Sequence, residues 1–400
     1  MLTFAEALAR LLASITPLGS ERVALDDALG RVLAEDLAAP APMPAFDYSA
    51  MDGYALRSND HLGAGPLVIP VVGESAAGRA LPDLAPGSAC RIFTGARLPA
   101  GADAVVMQEN AGRAGDTITI AAAPRAGAHV RRKGADLEQG AIALRRGMRL
   151  TPGKIALGAA LDRPQLLVAR RPVVTVLCSG DELRSPGDPA LPGTVTESNG
   201  YFVAAHARAA GAIVRVAPFV RDDAEVARAA VADALRGADV VVTIGGVSVG
   251  DHDVIRPALE AAGVTLDFWR VKLKPGKPLA VGRAGAAHVL GLPGNPASAS
   301  LTFLLFGVPL LRALQGDAAP LPARLRARVA GALRREAGRE EFRRARLEQG
   351  PDGLVARLFP NQDSGAVTSF AEAEALVVIP ADREGVADGE SLEVIRIADI

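Results

Sequence analysis

A chain of 400 residues with 49% hydrophobic content is long enough for several cores, so two to four domains are expected. Its formal net charge of -1 at pH 7 excludes a nucleic-acid binder that relies on excess positive charge, and 4% aromatic content leaves few stacking platforms for bases. Two cysteines, Cys90 and Cys178, exclude a disulfide framework and a CxxC metal site, and both read as small apolar residues of strand-like runs.

In chain order, residues 3–15 place Phe4, Leu8, Leu11, Leu12 and Ile15 at a helical period, with Thr3 and Glu6 spaced as a capping box. This start lacks the basic lead and unbroken apolar stretch of a signal peptide. No run of about 18 apolar residues is read in the chain, so no membrane span is expected, and the cytoplasm is the expected compartment. A second helix is predicted near 25–29, followed by a strand-like run at 31–34. Pro40, Pro42 and Pro44 make 39–46 an extended crossing segment. Short β-type runs at 67–72, 89–93, 104–108 and 117–120, with turn residues between them, predict a mostly β domain. Thr151 and Pro152 then mark a helix start, and 166–169 a strand.

From Val173 the pattern is α/β. Strands are predicted at 173–177, 213–220 and 240–244, with another ending at Leu292. Helices are predicted near 201–210, 224–235 and 254–262, and a long apolar helix over 297–314. Such alternation implies a mostly parallel sheet whose ligands bind beyond the carboxyl ends of the strands. After a linker at 316–322, runs at 323–332, 342–347, 354–358, 375–379 and 391–395 predict a small antiparallel β domain. The alternating arginines of its first run read as a solvated strand face rather than a ligand patch.

Three loops between 244 and 300 look built to hold phosphate. They are Gly245-Gly246-Val247-Ser248-Val249-Gly250-Asp251-His252-Asp253, Lys274-Pro275-Gly276-Lys277-Pro278 and Leu292-Pro293-Gly294-Asn295-Pro296-Ala297-Ser298. Their glycines let the backbone approach an anion closely, and N–H groups of a following helix complete the cradle. Asp251 and Asp253 could hold Mg²⁺ through oxygen ligands, or one of them could cap the helix near 254; His252 reads as a bystander. Lys274 and Lys277 flank a rigid turn that would direct two ammonium groups into one space, a clamp for a diphosphate. Gly180-Asp181-Glu182 follows the first α/β strand, where its carboxylates could bind a metal or a ribose hydroxyl, or cap a helix. Glu197-Ser198-Asn199-Gly200 precedes a helix and offers another N-terminal anion site, and Arg221-Asp222-Asp223 follows the second strand, with Asp223 read as a cap. Together these residues point to an enzyme handling a nucleotide-like phosphoester with a metal ion. In the N-terminal half, Asp52, Thr94 and the acid Asp136 after Arg131-Arg132-Lys133 each read as a turn in isolation.

Taken in order, SAMDGYA, TGA with LP and GADAVV downstream, RRKGAD, GDEL, GGVSVGDHD, KPGKP and GLPGNPAS resemble the MoeA/gephyrin E-domain family of molybdenum cofactor synthesis, over essentially the whole chain. The resemblance implies a multidomain α/β plus β fold in an elongated homodimer. A discontinuous helical and extended domain would take 1–44 with 137–171, and an inserted β-rich domain 45–136. A MogA-like, doubly wound molybdopterin-binding α/β domain would take 172–316, and a C-terminal β-barrel 317–400. The implied reaction inserts molybdate into adenylylated molybdopterin with Mg²⁺-assisted loss of AMP, and a molybdopterin adenylyltransferase is the implied partner. ATP-dependent adenylylation of molybdopterin and a peptide-binding scaffold rank behind it.

By resemblance the acting residues are Asp52, Thr94, Asp136, Glu182, Asp222, Asp253, Lys274, Pro293 and Pro296, with Asp52, Thr94 and Asp136 approaching the α/β site of the other subunit. Joined with the reading of the residues themselves, this gives a catalytic set of Asp52, Thr94, Asp136, Asp222, Arg270, Lys274 and Lys277. The substrate-binding set is Gly180, Glu182, Ser198, Asn199, Gly245, Gly246, Ser248, Gly250, Pro293, Gly294, Asn295, Pro296 and Ser298, and the metal pair is Asp251 and Asp253. One departure stands out: Arg270 replaces a family lysine after Trp269, a forked donor in place of a point charge.

Overall fold

The structure, a computed structural model, describes residues 1–61, 65–79, 83–246 and 254–400. Its contacts divide the chain into two units. One comprises Met1–Glu35, Arg146–Pro152 and Gln165–Ile400, the other Asp36–Arg145 and Gly153–Pro164.

The first unit opens with helix α1 (Phe4–Ala13), which carries the predicted capping box: the Glu6 N–H donates to Thr3 Oγ1 at 3.2 Å and the Thr3 N–H to Glu6 Oε2 at 2.8 Å. Its apolar stripe is buried, with the Phe4 ring edge-on to Phe306 and to Phe342 at 5.4 and 5.2 Å. The helix expected at 25–29 is only a 3₁₀ turn, Leu25–Asp27, after a strand Ser20–Ala24 whose polar residues gave no strand signal. That strand pairs antiparallel with Gln165–Ala169.

The α/β region runs β1 (Val173–Cys178), α2 (Asn199–Ala209), β2 (Ile213–Val216), α3 (Ala224–Leu235), β3 (Val240–Ile244), α4 (Ile255–Ala261), β4 (Thr265–Lys274), β5 (Pro278–Ala284) and β6 (Ala287–Leu292). The sheet order is β2-β1-β3-β6-β5-β4. The first four strands are parallel and read as near-continuous apolar runs because both faces are covered. Apolar residues of α2 and the helix Pro296–Leu314 fill one core, and those of α3 and α4 fill another.

The hairpin β4–β5 was not expected. Its second strand is antiparallel to β6 and its first antiparallel to β5. Two reversals leave β4 running parallel to β6, so Lys274 at its end lies at the same sheet edge as Cys178, Ile244 and Leu292.

Helix Pro296–Leu314, with a mean hydropathy of 1.6, corrects the expectation that no run is long and apolar enough to cross a membrane. Because 89% of that stretch is buried within the protein, it serves as a core helix. A π-helical turn at Phe303–Gly307 interrupts it.

Strand β4 continues into the C-terminal strands by pairing parallel to Glu340–Gly350. There β7 (Arg324–Ala330), β8 (Glu340–Gly350), β9 (Gly353–Leu358), β10 (Ala375–Ile379) and β11 (Ser391–Arg396) close on themselves in the order β7-β9-β8-β10-β11-β7, a five-stranded barrel. Only the β7–β9 pair departs from the expected antiparallel pattern. The alternating arginines of β7 face solvent, where Arg324 and Arg328 pair with Glu393 and Asp352.

In the second unit, a six-stranded sheet takes the order Ala104–Met107, Gly53–Leu56, Ala89–Ile92, Leu67–Ser75, Thr117–Ile120, Ala111–Ala114; the four expected β-runs supply four of these strands, and Gly53–Leu56 and Ala111–Ala114 were not expected. A Cβ at Gly53 would stand 1.9 Å from the Val106 carbonyl oxygen, so only glycine permits this strand pairing.

Candidate active site

The parallel strands end at one edge of the α/β sheet, and the described parts of the loops there pack backbone against backbone. The Ser179 N–H donates to the Ile244 carbonyl at 3.0 Å, and the Gly245 N–H to the Leu292 carbonyl at 3.2 Å. Gly245 and Gly246 have φ of 83° and 62°. A Cβ on the first would lie 2.8 Å from Ser179 O and on the second 2.5 Å from Ile255 Cγ1, so the turn after β3 requires glycine twice over. After β6, Pro293 is buried while Gly294 and Asn295 are exposed. The Asn199 amide donates to the Gly294 carbonyl at 2.7 Å and so ties the start of α2 to this loop.

Asn295 precedes the helix that starts at Pro296 but makes no side-chain cap; its amide donates to Ser364 Oγ at 3.1 Å. Ser298 is buried in the first turn of that helix, its carbonyl accepting from Thr302 Oγ1 at 2.7 Å. The Lys274-Pro275-Gly276-Lys277 turn seats on the same helix, since a Cβ at Gly276 would lie 2.5 Å from Thr302 Cγ2. Of the residues named from sequence, Ser248, Gly250, Asp251 and Asp253 lie outside the described residues.

Gly180 and Glu182 follow β1 at this edge, where the Glu182 side chain fills the space above Gly180 and is exposed. Asp222 is also exposed, and its N–H donates to Asp181 Oδ1 at 3.2 Å. Asp223 is the cap that was predicted, taking the N–H groups of Glu225 and Val226 at 2.9 Å each.

At the start of α2 the outcome is mixed. Ser198 makes no side-chain cap, and the Gly200 N–H is taken at 2.6 Å by Glu197, whose residue is only 6% exposed. The chain's own carboxylate thus fills part of the anion site offered at that N-terminus. Burial, reinforced by the Glu197 charge, drives the Cys178 thiol far above its ordinary range, so it cannot serve as a nucleophile. Burial likewise pushes Cys90 up to about 11. A cavity of about 540 Å³ opens beside α2, lined by Glu197, Tyr201, Arg208 and Phe219 among others, a size suited to a small organic ligand.

From residue 270 onward β4 alternates: Val271 and Leu273 are buried, while Arg270, Lys272 and Lys274 stand on the other face. Lys277 is exposed on the turn. Lys274 Nζ lies 3.5 Å from Glu341 Oε1 of β8, a residue absent from the sequence-based set. Ser364 was also missed; besides Asn295, it takes the Ala297 N–H on its carbonyl at 2.8 Å. One signal could have found it. The stretch 359–374 is long for a link between two strands, and long links tend to carry function.

In the second unit the structure joins two of the three predicted residues directly. Asp52 Oδ1 accepts from the Thr94 N–H at 2.7 Å and from Thr94 Oγ1 at 2.8 Å. The Thr94 backbone bond first, then the hydroxyl bond, hold the Asp52 carboxyl below the usual range. Asp136 is exposed, and its N–H donates to the Met43 carbonyl at 3.0 Å. The basic run before it is anchored by Asp47, which takes the Lys133 N–H and Arg132 Nη1 at 2.7 Å each. Asp52 and Asp136 thus hang from the two ends of one segment, 43–52.

Removing the Thr94 hydroxyl while keeping its N–H, as in Thr94→Val, is expected to raise the Asp52 pKa. If the rate depends on ionised Asp52, the acid limb of the pH–rate profile moves to higher pH. An unmoved limb in a folded variant would show that the rate does not depend on this ionisation.

Among the described residues, no group of three or more His, Cys, Asp or Glu side chains could hold a metal ion. The carboxylates at the sheet edge are hard oxygen donors, a set that suits Mg²⁺ rather than a soft transition metal.

Comparison with known proteins agrees with this arrangement. The family model for the MoeA N-terminal region (domain I and II) matches residues 2–161, that for a probable molybdopterin binding domain 175–313, and that for the MoeA C-terminal region (domain IV) 326–397. Molybdopterin molybdenumtransferase 2 of Mycobacterium tuberculosis is 37% identical over 381 residues, covering 93% of this chain and 94% of its own. The molybdopterin molybdenumtransferase of Haemophilus influenzae is 35% identical over 406 residues, covering 98% of each. A crystal structure of the molybdopterin biosynthesis MoeA protein from Pyrococcus horikosii superposes with a TM-score of 0.83 at 32% identity, covering 99% of both chains. Near-full-length identity of this order, with the three domain matches in sequence order, leaves one conclusion: the chain belongs to the MoeA family, a family of transferases in molybdenum cofactor biosynthesis.

Proposed function

We propose that this chain inserts molybdate into adenylylated molybdopterin with Mg²⁺-dependent release of AMP, giving molybdenum cofactor. The observation that carries this reading is the double reversal of β4 and β5, which brings the lysine turn to the sheet edge where the glycine loops end. Cleaving a phosphoanhydride leaves negative charge on the departing AMP, and fixed cations meet that charge best when no reorganisation is needed. Lys274 and Lys277 supply it from a turn seated on the helix Pro296–Leu314, and Arg270 lies on the same strand as Lys274. The glycine turn at 245–246 and Pro293, Gly294 and Asn295 let the diphosphate approach the backbone closely. Asp251 and Asp253 are assigned the Mg²⁺, which would neutralise phosphate charge when bound.

Asp52, Thr94 and Asp136 complete the site from a second copy of the chain, so the working form is a homodimer. A molybdopterin adenylyltransferase supplies the substrate, and the reaction runs in the cytoplasm. The purified chain, given adenylylated molybdopterin, Mg²⁺ and molybdate, is expected to release AMP, and no release would overturn the assignment.

Mixing two inactive variants, Asp52→Asn and Lys274→Ala, tests the shared site. Subunit exchange is expected to recover about a quarter of wild-type activity, because half the dimers would be mixed and each would hold one intact site. No recovery after verified exchange would place both residues in a site built by one chain.

A further inference from the structure

Glu341 carries a charge that the reaction as proposed does not use. It is 3% exposed, on β8, and main-chain pairing sets it directly opposite Lys274 on β4. Three cations surround its carboxylate. Lys274 Nζ stands 3.5 Å from Oε1 and Arg343 Nε 2.9 Å from the same oxygen. Arg335 Nε is 2.9 Å from Oε2, with its N–H not aimed at the oxygen, so that contact is ionic rather than a hydrogen bond.

The three cations differ in freedom. The Arg335 side chain is 1% exposed, and its remaining nitrogens donate to the carbonyls of Pro380, Arg383 and Arg339. Arg343 is 19% exposed and Lys274 44% exposed. Arg335 is therefore a fixed part of the barrel that compensates the buried carboxylate, while Lys274 is the most exposed of the three, at the end of β4.

We propose that Glu341 is a positioning residue that holds the Lys274 ammonium at the sheet edge where the leaving phosphate is met. This rests on reading Lys274 as a catalytic group. A lysine has four rotatable side-chain bonds and is a strongly hydrated point charge, so it is oriented only when something fixes it. Here the fixing charge comes from the barrel, through a strand pair joined at Leu273↔Glu340 and Lys274↔Glu341. These four groups sum to an excess of two positives, so Glu341 holds Lys274 without cancelling the cluster's attraction for an anion.

A double-mutant cycle tests this, because a merely structural carboxylate would act independently of Lys274. Glu341→Gln is expected to lower kcat for AMP release about 10- to 100-fold, with KM changed less than about threefold, as for a displaced catalytic group. In a Lys274→Ala background the same substitution is expected to cost less than about a further twofold. Glu341→Asp, which keeps the charge but withdraws it by one methylene, is expected to fall between, and it carries the test if the Gln variant does not fold. An equal loss in both backgrounds, or a folded variant with unchanged kcat, overturns the proposal while leaving the site reading intact. Full activity in Lys274→Ala alone overturns the site reading, and the role of Glu341 with it.

Discussion

Replacing Lys274 by alanine is expected to lower kcat for AMP release by about 10²- to 10³-fold, the usual effect of deleting one preorganised charge at a developing oxyanion. Stability should scarcely change. The ammonium is partly solvated, and its removal leaves Glu341 compensated by Arg335 and Arg343, so the loss falls in the range of about 0 to 1 kcal/mol seen for such pairs. Lys274→Arg is expected to recover only part of the rate, because a planar fork cannot occupy the position of a compact ammonium beside a buried carboxylate. Lys277→Ala should cost less, since Lys277 is exposed and, among the described residues, no ion pair directs it to the sheet edge. Steady-state AMP release and a thermal melt on the same preparations check all three. A melting temperature that collapses together with kcat in Lys274→Ala would mean that Lys274 is structural.

The parallel strands and their helices were legible because each carries a periodic signal of its own. Helix α3 and strand β3 fell at the predicted residues, and the Thr3–Glu6 capping box formed as spaced. The hairpin β4–β5 was not legible. Strand β4 places Asp267, Arg270, Lys272 and Lys274 among its apolar residues, and its turn is a proline-glycine pair that reads equally well as a free loop. What makes it strand is pairing with β5 on one side, and with β8 and Leu2–Thr3 on the other, none of them predictable from neighbouring residues. Glu341 shows the same limit from the opposite direction. It sits in the charged run Arg339-Glu340-Glu341-Phe342-Arg343-Arg344, just before the strand expected at 342–347, and barrel closure buries both Glu341 and Arg344. The Asp52–Thr94 bond needs two residues far apart in sequence to meet; only the resemblance grouped them, and the structure supplied the contact.

Gly276→Ala is expected to be strongly damaging for so small a substitution at the sheet edge, and comparison with Gly285→Ala separates the reasons. Both glycines have positive φ, 105° at Gly276 and 57° at Gly285, so an alanine at either is strained. At Gly285, in the short link between β5 and β6, a Cβ would meet nothing within 4 Å among the described residues. Its cost should therefore be the conformational one alone, about 1 to 2 kcal/mol. At Gly276 the Cβ would stand 2.5 Å from Thr302 Cγ2, 3.5 Å from Leu273 Cδ2 and 3.6 Å from Ser298 O. Thr302 is fully buried and its hydroxyl is held by the Ser298 carbonyl, so it cannot turn aside. Overpacking adds about 1 to 3 kcal/mol, and relief comes only by lifting the turn off the helix. That movement carries both Lys274 and Lys277 with it, so kcat should fall by about 10²-fold even in the protein that remains folded. Denaturant titration of the two variants gives the stability difference, and AMP release at a temperature where both are folded gives the rate. Equal destabilisation of the two would mean that the turn is not seated on the helix, and its lysines would then lose the rigid support on which their role depends.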